Sequence, residues 1–187
     1  MNKPKLEGAN IAGHKIVERK FFSDNRGSLL KVFEDQDAER LSFRPKIKQI
    51  NVVETREIGT IRGMHVQPFP FAEMKLVTCL KGLVFDVVID LRKNSETFLE
   101  WSSCLLDANQ NYSIVVPEGC AHGLQTLSED VIMLYAHTNN FTDERETGLN
   151  PLDLDLMISW PALPTGVSER DSKLPTRKQW LEKANEM

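Results

Sequence analysis

Two histidines of this chain lie in short, glycine-punctuated segments, and both are suited to proton chemistry. His65 stands in the segment Gly59–Gln67, inside a region with β-type alternation, and His122 stands in the segment Pro117–Gly123. A histidine side chain titrates near neutral pH, so it can take up a proton and return it. A metal site needs three or four converging ligands, and His65 has no second histidine close by in the sequence, since the residue two positions on is Gln67. The residues therefore predict acid–base chemistry with neither a metal nor another cofactor.

Composition indicates an ordinary globular protein with a local binding site. The chain has 187 residues, 41% of them hydrophobic and 27% charged, which is enough for one domain with a core. The net charge of −4 argues against a general nucleic-acid or membrane-surface binder, and no apolar run is long enough to span a membrane. Any anionic ligand must therefore meet a local cluster of arginines and lysines. Three widely spaced cysteines (Cys79, Cys104 and Cys120) and the lack of an apolar leader predict a cytoplasmic protein with reduced thiols.

Short runs with β-type alternation recur along the chain, separated by turns. One run ends at the turn Ser23–Gly27, another is rich in β-branched residues over Leu83–Leu91, and a third alternates over Asp130–His137. Strands at a spacing of about 8–12 residues are typical of an all-β sandwich or barrel. The segment Thr176–Met187 has the composition of a helix. The residues alone thus predict an all-β fold with a short surface helix after the strands.

Eight motifs in a fixed order carry a resemblance to a known family. They are Asp24–Gly27, Gln49–Asn51, Arg62–His65, Lys75–Val77, Val84–Arg92, Pro117–Gly123, Leu134–Tyr135 and Ser168–Asp171. Together they resemble the nucleotide-sugar 3,5-epimerases of the dTDP-4-dehydrorhamnose 3,5-epimerase family, over most of the chain. Because several separate motifs occur in the right order, the resemblance is highly specific for the family and less specific for the substrate.

The resemblance implies a fold and an assembly. The fold is a cupin-type jelly-roll β-barrel with a short peripheral C-terminal helix, and the assembly is a homodimer. A single domain would span residues 1–187, with the barrel core at about 45–140. The strands within 14–34 are expected at the dimer interface, and the segment 165–187 is expected to carry Asp171 and the helix.

The resemblance also implies a reaction, the epimerisation of a 4-keto-6-deoxy-hexose carried on a nucleoside diphosphate, as in deoxysugar biosynthesis of the dTDP-rhamnose type for cell-surface polysaccharides. The C4 ketone acidifies the protons on C3 and C5, so a base can remove one to leave an enolate, and a proton then returns on the other face. Four residues match the family's catalytic groups: His65 as the base, Asp171 as its carboxylate partner, Tyr135 as the acid on the opposite face and Lys75 as the cation near the enolate oxygen.

Seven further residues match substrate contacts of the family. They are Phe22, Arg26, Gln49, Asn51, Arg62, His122 and Arg170. The resemblance implies that the arginine at position 26 reaches the nucleotide bound by the partner subunit. Arginine suits this task because its guanidinium can bind phosphate through two parallel hydrogen bonds.

Several alternatives stay open. Lys31 stands where the family has an acidic residue, so the sequence fixes neither the nucleotide base nor whether C3, C5 or both carbons are inverted. A non-catalytic sugar-nucleotide-binding barrel would keep the arginines, but it has no need of a histidine–carboxylate pair with a tyrosine. A sugar ketoisomerase of the same fold is a further alternative, intermediate between the epimerase and the non-catalytic binding protein. A metal-dependent barrel is disfavoured by its missing ligands. His14 and His137 lie outside the motifs and are predicted to be structural or on the surface.

Overall fold

The computed structural model describes residues 3–34, 46–140 and 146–186, and its regular structure is mostly strands. The strands before the gap at 35–45 are β1 (Glu7–Gly8), β2 (Lys15–Glu18), β3 (Lys20–Asp24) and β4 (Gly27–Lys31). The next eight are β5 (Gln49–Thr55), β6 (Thr60–Val66), β7 (Lys75–Lys81), β8 (Leu83–Asp90), β9 (Trp101–Asp107), β10 (Tyr112–Val116), β11 (Cys120–Thr126) and β12 (Val131–His137). Two short strands, β13 (Thr147–Gly148) and β14 (Gly166–Val167), a 3-10 turn (Leu154–Leu156) and two helices (Glu169–Ser172 and Arg177–Glu186) follow.

Two sheets pack face to face around a shared core. The seven-stranded sheet has the order β1-β9-β8-β11-β6-β13, with β14 pairing in parallel with β6, and the five-stranded sheet has the order β2-β10-β7-β12-β5. Val77 and Ile114 of one sheet join Val88 and Leu124 of the other in one buried cluster. This arrangement confirms the predicted cupin-type jelly roll.

Strand β12 shows how the barrel acquires an apolar end and a polar end. Side chains on one face of a strand alternate with those on the other, so Val131, Met133, Tyr135 and His137 share a face. The first two belong to the apolar core, whereas the last two line a cavity. One strand therefore supplies both the packing that holds the sheets together and the side chains of a possible site.

Strands β3 and β4 form a separate two-stranded sheet, here called the N-terminal hairpin (residues 20–31). The predicted turn is present, and the Arg26 amide donates a hydrogen bond to Asp24 Oδ1 at 2.8 Å. Phe21, Phe22 and Leu29 are large apolar side chains of this hairpin, and all three are exposed. The hairpin thus presents apolar and charged side chains outside the barrel core.

The predicted helix near the C-terminus is confirmed over Arg177–Glu186. Trp180 and Leu181 of this helix pack against the cluster that contains Leu149 and Leu156. Within the described residues, no helix has the length and apolar character needed to cross a bilayer.

Candidate active site

A cavity of about 600 Å³ opens between the two sheets at the polar end of the barrel. Strands β6 and β11 contribute to one wall, strands β5, β7 and β12 contribute to the other, and β14 with the short helix Glu169–Ser172 completes the lining. Most of the predicted site residues meet here: Asn51, Arg62, His65, Lys75, His122, Tyr135, Arg170 and Asp171. The fold therefore gathers into one cavity residues that are widely separated in the sequence.

His65 and Asp171 form a hydrogen-bonded pair on the wall of the seven-stranded sheet. His65 Nε2 lies 2.7 Å from Asp171 Oδ1, and the Gly63 amide donates to Asp171 Oδ2 at 3.2 Å. Ser168 caps the short helix by accepting a hydrogen bond from the Asp171 amide, which fixes the backbone that carries the carboxylate. Because a carboxylate on one ring nitrogen sets the tautomer of the imidazole, His65 Nδ1 is left to exchange a proton with a ligand.

Gly63 lets the two histidine-bearing strands approach closely. Its φ is +119°, and a Cβ at this position would lie 2.6 Å from Gly123 Cα and 2.7 Å from the His122 carbonyl oxygen. The pairing of β6 with β11 places His65 opposite His122 and shifts register immediately afterwards. A side chain at position 63 would push the strands apart and move His65 relative to its carboxylate.

The charge state of Asp171 suits its place beside a histidine. Burial alone would raise the pKa of the carboxyl group, but the hydrogen bond and charge of His65, with hydrogen bonds at Gly63 and Ser168, outweigh burial and hold the pKa below its usual value. Asp171 is therefore ionised at neutral pH and can stabilise a protonated His65.

Glu146 lies beside the same histidine, although no sequence motif pointed to this residue. Its Oε1 is 3.7 Å from His65 Nδ1, and its Oε2 accepts a hydrogen bond from Arg170 at 2.6 Å. The Glu146 side chain is only 5% exposed. Arg170 thus holds a second carboxylate close to His65, on the side of the ring that Asp171 leaves open.

Tyr135 and Lys75 line the cavity from the five-stranded sheet. Tyr135 stands between Asn51 on β5 and Val77 on β7. Burial raises the pKa of Tyr135, the nearby Asp86 adds to that rise, and Arg62 only partly offsets it. The phenol is therefore protonated at neutral pH and available as a hydrogen donor. The Lys75 ammonium is almost completely buried, at 7% side-chain exposure.

His122 connects the two walls. Its Nε2 lies 2.8 Å from Asp86 Oδ2, and both side chains are buried. Burial raises the pKa of Asp86, and the charge and hydrogen bond of His122 oppose that rise. The edge of the His122 ring meets the Tyr135 ring with a centroid separation of 5.9 Å. His122 therefore packs directly against the tyrosine from the opposite sheet.

The remaining predicted residues of the barrel are anchored around this cavity. The Arg62 guanidinium donates to Thr55 Oγ1 at 2.8 Å and to the Glu54 carbonyl oxygen at 3.2 Å. Gln49 stands behind the lining, and its amide donates to Asn51 Oδ1 at 3.0 Å. These contacts fix the orientation of polar groups that face the cavity.

Arg26 and Phe22 do not join the cavity. They border a separate depression on the N-terminal hairpin together with Leu29. The Arg26 guanidinium is 86% exposed and pairs with Asp24 on the same hairpin at 2.6 Å. A single chain therefore places the predicted site residues in two locations.

The described residues contain no group of three or more histidine, cysteine, aspartate and glutamate side chains arranged to hold a metal ion. Gln67 is buried, and its amide donates to the carbonyl oxygens of Phe71 and Asn140 at 3.5 and 3.4 Å. The expectation that the site works without a metal stays a prediction.

Comparison with known proteins adds independent information to this geometry. The family model described as dTDP-4-dehydrorhamnose 3,5-epimerase matches residues 8–179. The chain belongs to this family. The epimerase is accordingly an isomerase. A dTDP-4-dehydrorhamnose 3,5-epimerase of Sinorhizobium fredii strain NGR234 is 36% identical to it over 177 residues, which cover 91% of this chain and 88% of the relative.

Solved structures resemble the epimerase over nearly its whole length. The dTDP-4-dehydrorhamnose 3,5-epimerase of Bacillus anthracis with TDP and pyrophosphate bound superimposes with a TM-score of 0.84 at 32% identity, covering 92% of this chain and 99% of that one. A 3'-monoepimerase of Streptomyces bikiniensis in complex with dTDP-quinovose gives a TM-score of 0.86 at 30% identity, covering 94% and 89%. The fold is thus shared with enzymes of both descriptions.

Of the two alternatives expected for His137, structural or on the surface, the structure excludes the surface one. It is buried and lines the cavity, with Nδ1 2.8 Å from Glu73 Oε2. The ring stacks on Tyr135 of the epimerase at a centroid separation of 6.2 Å. The available signal was its spacing: His137 follows Tyr135 by two residues in one strand and so shares its face. His14 is also buried, in agreement with the structural alternative.

Proposed function

We propose that this epimerase inverts carbons next to the C4 ketone of a nucleoside-diphosphate 4-keto-6-deoxy-hexose. One observation carries the proposal: the His65–Asp171 pair stands on one wall of the cavity, and Tyr135 and Lys75 stand on the other. Inversion of a carbon centre needs a base on one face and an acid on the opposite face. A ligand seated between these walls would meet both.

The base is His65 and its reactive atom is Nδ1, because Asp171 occupies Nε2. His65 takes the proton from C3 or C5, and the electrons of the broken C–H bond move through the new C=C bond onto the C4 oxygen as an enolate. Asp171 stabilises the imidazolium that forms. Lys75 stabilises the negative charge as it develops on the oxygen, where a positioned cation has its largest effect on rate.

The acid is Tyr135, which returns a proton to the opposite face of the same carbon. Burial keeps the phenol protonated until the enolate forms, since it raises the pKa of Tyr135. Arg62 lowers the cost of the transient phenolate, because its positive charge acts in that direction. The cycle closes when His65 loses the abstracted proton and Tyr135 regains one, so no net proton is consumed.

We infer further that the epimerase is a homodimer in which the N-terminal hairpin reaches the partner's cavity. Arg26 would then bind the nucleotide diphosphate, and the exposed Phe22 would contact the nucleotide. Support comes from the hairpin itself, which projects an arginine and several apolar side chains outside the core of its own barrel. The single-domain organisation is part of the same proposal.

The cytoplasm is the proposed compartment. The three cysteines are free thiols buried in the barrel. Burial raises the pKa of the Cys79 and Cys120 thiols to about 12, so both stay protonated and unreactive. Free thiols are typical of proteins that work in a reducing compartment.

Inversion at C3 alone is the second candidate. The Streptomyces bikiniensis relative, which shares the fold at a TM-score of 0.86, is described as a 3'-monoepimerase. Both activities use a base and an acid on opposite walls, so the two candidates differ in whether the sugar re-seats to present C5. A non-catalytic binding protein is less well supported, because it has no need of the His65–Asp171 pair.

Exchange with heavy water tests the proposal and separates the candidates. The purified epimerase is incubated with dTDP-4-dehydro-6-deoxyglucose in deuterium oxide, and the sugar is followed by proton NMR. Loss of the C3 and C5 signals with formation of the inverted product supports the double epimerase, and loss at C3 alone supports the second candidate. The same assay with UDP, GDP and CDP sugars shows which base is preferred. If no sugar of this panel exchanges, the proposed function is wrong.

A further inference from the structure

In addition to His65–Asp171 and His122–Asp86, the wall of the five-stranded sheet carries a third histidine–carboxylate pair, for which the proposed reaction has no role. His137 Nδ1 lies 2.8 Å from Glu73 Oε2. The side chains of the two residues are 6% and 2% exposed. His137 is the register partner of Lys75 on β7 and of Gln49 on β5. The pair is therefore built into the sheet next to the cation that the reaction uses.

The hydrogen-bond partners of His137 show which ring nitrogen faces Glu73. Gln49 donates its amide to Asn51 Oδ1, so the Asn51 amide nitrogen is the atom turned to His137 Nε2, at 3.5 Å. An amide nitrogen can only donate. On the other side of the ring, Nδ1 faces a carboxylate, which accepts hydrogen bonds. The Nδ1–H of His137 is thus directed at Glu73.

Glu73 lies between two possible partners and bonds well to only one. Its Oε2 accepts from His137 at 2.8 Å, whereas its Oε1 lies 3.4 Å from Lys75 Nζ without hydrogen-bond geometry. Within the described residues, Glu73 is the only charged neighbour of the Lys75 ammonium within ion-pair distance. A buried ammonium and carboxylate would normally approach to an N···O distance of about 2.7–2.9 Å and form a strong charge-assisted hydrogen bond.

The distance between the Lys75 ammonium and the Glu73 carboxylate affects how well the ammonium can stabilise an oxyanion. A lysine engaged by a carboxylate directs its N–H bonds and its charge toward that group, so it stabilises a developing enolate less well. The hydrogen bond from His137 engages Oε2 of Glu73, while Oε1 of the same carboxylate lies 3.4 Å from Lys75 Nζ. The carboxylate then still balances the buried charge of the ammonium without capturing its donors.

We propose that His137 is a positioning residue that holds Glu73 away from Lys75, which leaves the Lys75 ammonium free to stabilise the enolate. This inference rests on the proposed function, because it assigns Lys75 to the enolate oxygen. It predicts that the released carboxylate of Glu73 lowers the rate of deuterium entry in a His137 variant. Removing that carboxylate as well should then restore the rate.

A double-mutant comparison tests this coupling directly. The rate of deuterium entry into the sugar, kcat and KM are measured for the wild type, H137F, E73Q and the double variant H137F/E73Q. We expect H137F to lower kcat by roughly tenfold to a hundredfold, up to the effect of losing one positioned oxyanion donor, with KM changed by less than about threefold. The double variant should return to within about threefold of E73Q, since two coupled changes are not additive.

Two further variants serve as controls. His137→Gln keeps an N–H group that can donate to Glu73, so its rate should stay within about threefold of the wild type. His14→Phe makes the same substitution at another buried histidine, whose ring nitrogens have no hydrogen-bond partner in the described residues, and it should leave kcat unchanged. Thermal melting and TDP binding confirm that each variant is folded, and His137→Leu replaces H137F if the phenylalanine prevents folding.

The outcomes separate this inference from the proposed function. If the wild type does not exchange deuterium into any sugar tested, the proposed function fails and this inference falls with it. If the wild type exchanges but H137F is as fast as the wild type, or the double variant stays as slow as H137F, then His137 does not act through Glu73. Recovery of the double variant supports the positioning role, since a purely structural histidine would not be rescued by removing a carboxylate.

Discussion

The barrel cavity and the N-terminal hairpin carry the two parts of the predicted site, and they differ in how each side chain is held. In the cavity, His65, Lys75 and Tyr135 each contact a buried side chain, which is Asp171, Glu73 and His122 respectively. On the hairpin, Arg26 and Phe22 are exposed, and the guanidinium pairs only with Asp24 among the ion pairs of the described residues. The groups proposed for acid–base chemistry are thus gathered within one chain, whereas those proposed to bind the nucleotide border an open depression on the hairpin.

This difference has a physical meaning for catalysis and binding. Proton transfer needs groups fixed to a fraction of an ångström, which a packed interior provides. Binding of a charged diphosphate tolerates a mobile arginine, provided that a second surface brings the arginine to the ligand. We therefore expect cavity variants to change the rate of chemistry, and hairpin variants to change affinity and to depend on the partner subunit.

The largest effect is expected for His65→Asn. Removal of a positioned base usually lowers the rate by about 10²–10⁴-fold, so deuterium entry should fall by that factor. Asparagine keeps a polar group near Asp171, and TDP should still bind with the wild-type affinity by calorimetry. A variant that exchanges deuterium at the wild-type rate would show that the cavity does not contain the base.

Tyr135→Phe should separate the two halves of the reaction. Abstraction by His65 precedes donation by Tyr135, so deuterium should still enter the sugar from the His65 side. Formation of the inverted product should drop by roughly a hundredfold, within the usual range for a lost general acid. The ratio of exchange to inversion, measured by NMR in one sample, is the readout. An unchanged ratio would contradict the assignment of Tyr135 as the acid.

His14→Val should change the pH dependence of the free energy of unfolding, because His14 is buried in the barrel. Burial, with a smaller effect of His122, lowers the pKa of His14 from 6.5 to about 4. The unfolded chain therefore binds this proton at a higher pH than the folded chain does. The stability from this difference is fully present above pH 6.5 and is lost as the pH falls toward 4.

Replacement of His14 by valine should abolish the loss of stability that accompanies protonation of His14 at low pH. Between pH 7 and pH 4, the free energy of unfolding of the His14→Val variant should decrease by about 1–3 kcal/mol less than that of the wild type. Urea unfolding at several pH values measures this difference. Parallel curves for the two proteins would show that His14 is accessible to protons in the folded state.

The smallest effect is expected for Arg26→Ala, and it is the one that tests the partner's contribution. Loss of one charge-assisted hydrogen bond to a phosphate should weaken TDP binding by about tenfold, or about 1.4 kcal/mol. The melting temperature should not change, because Arg26 is exposed and its ion pair with Asp24 lies at the surface.

Mixed dimers decide where Arg26 acts. Arg26→Ala and His65→Asn subunits are inactive or weak alone, but a dimer of one of each would contain one cavity with both His65 and the partner's intact arginine. Sedimentation should first show a dimer at micromolar concentration. Regained activity on mixing supports binding across the interface, and a mixture no better than the separate variants would show that Arg26 does not act on the partner's cavity.

The all-β class could be predicted because its determinants are local, whereas the jelly-roll topology was predicted from the family resemblance. Alternation over Leu83–Leu91 and Asp130–His137 defines β8 and β12, and the turn Ser23–Gly27 defines the hairpin. The predicted jelly roll is confirmed. The roles assigned to His65, Asp171 and the other site residues stay predictions, although the structure brings most of them into one cavity.

The residues that sequence reasoning missed depend on contacts between distant segments. Glu73 meets His137 across 64 positions, and that contact requires the pairing of β7 with β12. Glu146 reaches His65 because β13 pairs with β6. No motif or alternation surrounds either carboxylate in the sequence, so only the register of the strands reveals them.

If His65 is the base, as proposed, the His65–Asp171 pair also determines when a newly made chain can become active. Asp171 lies 106 residues after His65 and is held in place by β14 and the short helix, which follow the last strand of the five-stranded sheet. A ribosome produces His65 and both walls of the cavity before it produces Asp171. A nascent chain that has just completed β12 therefore has the five strands of one sheet but still lacks β13, β14 and the carboxylate proposed to orient the base. Such a chain would be inert toward sugars until the segment carrying Asp171 is synthesised and docks on β6.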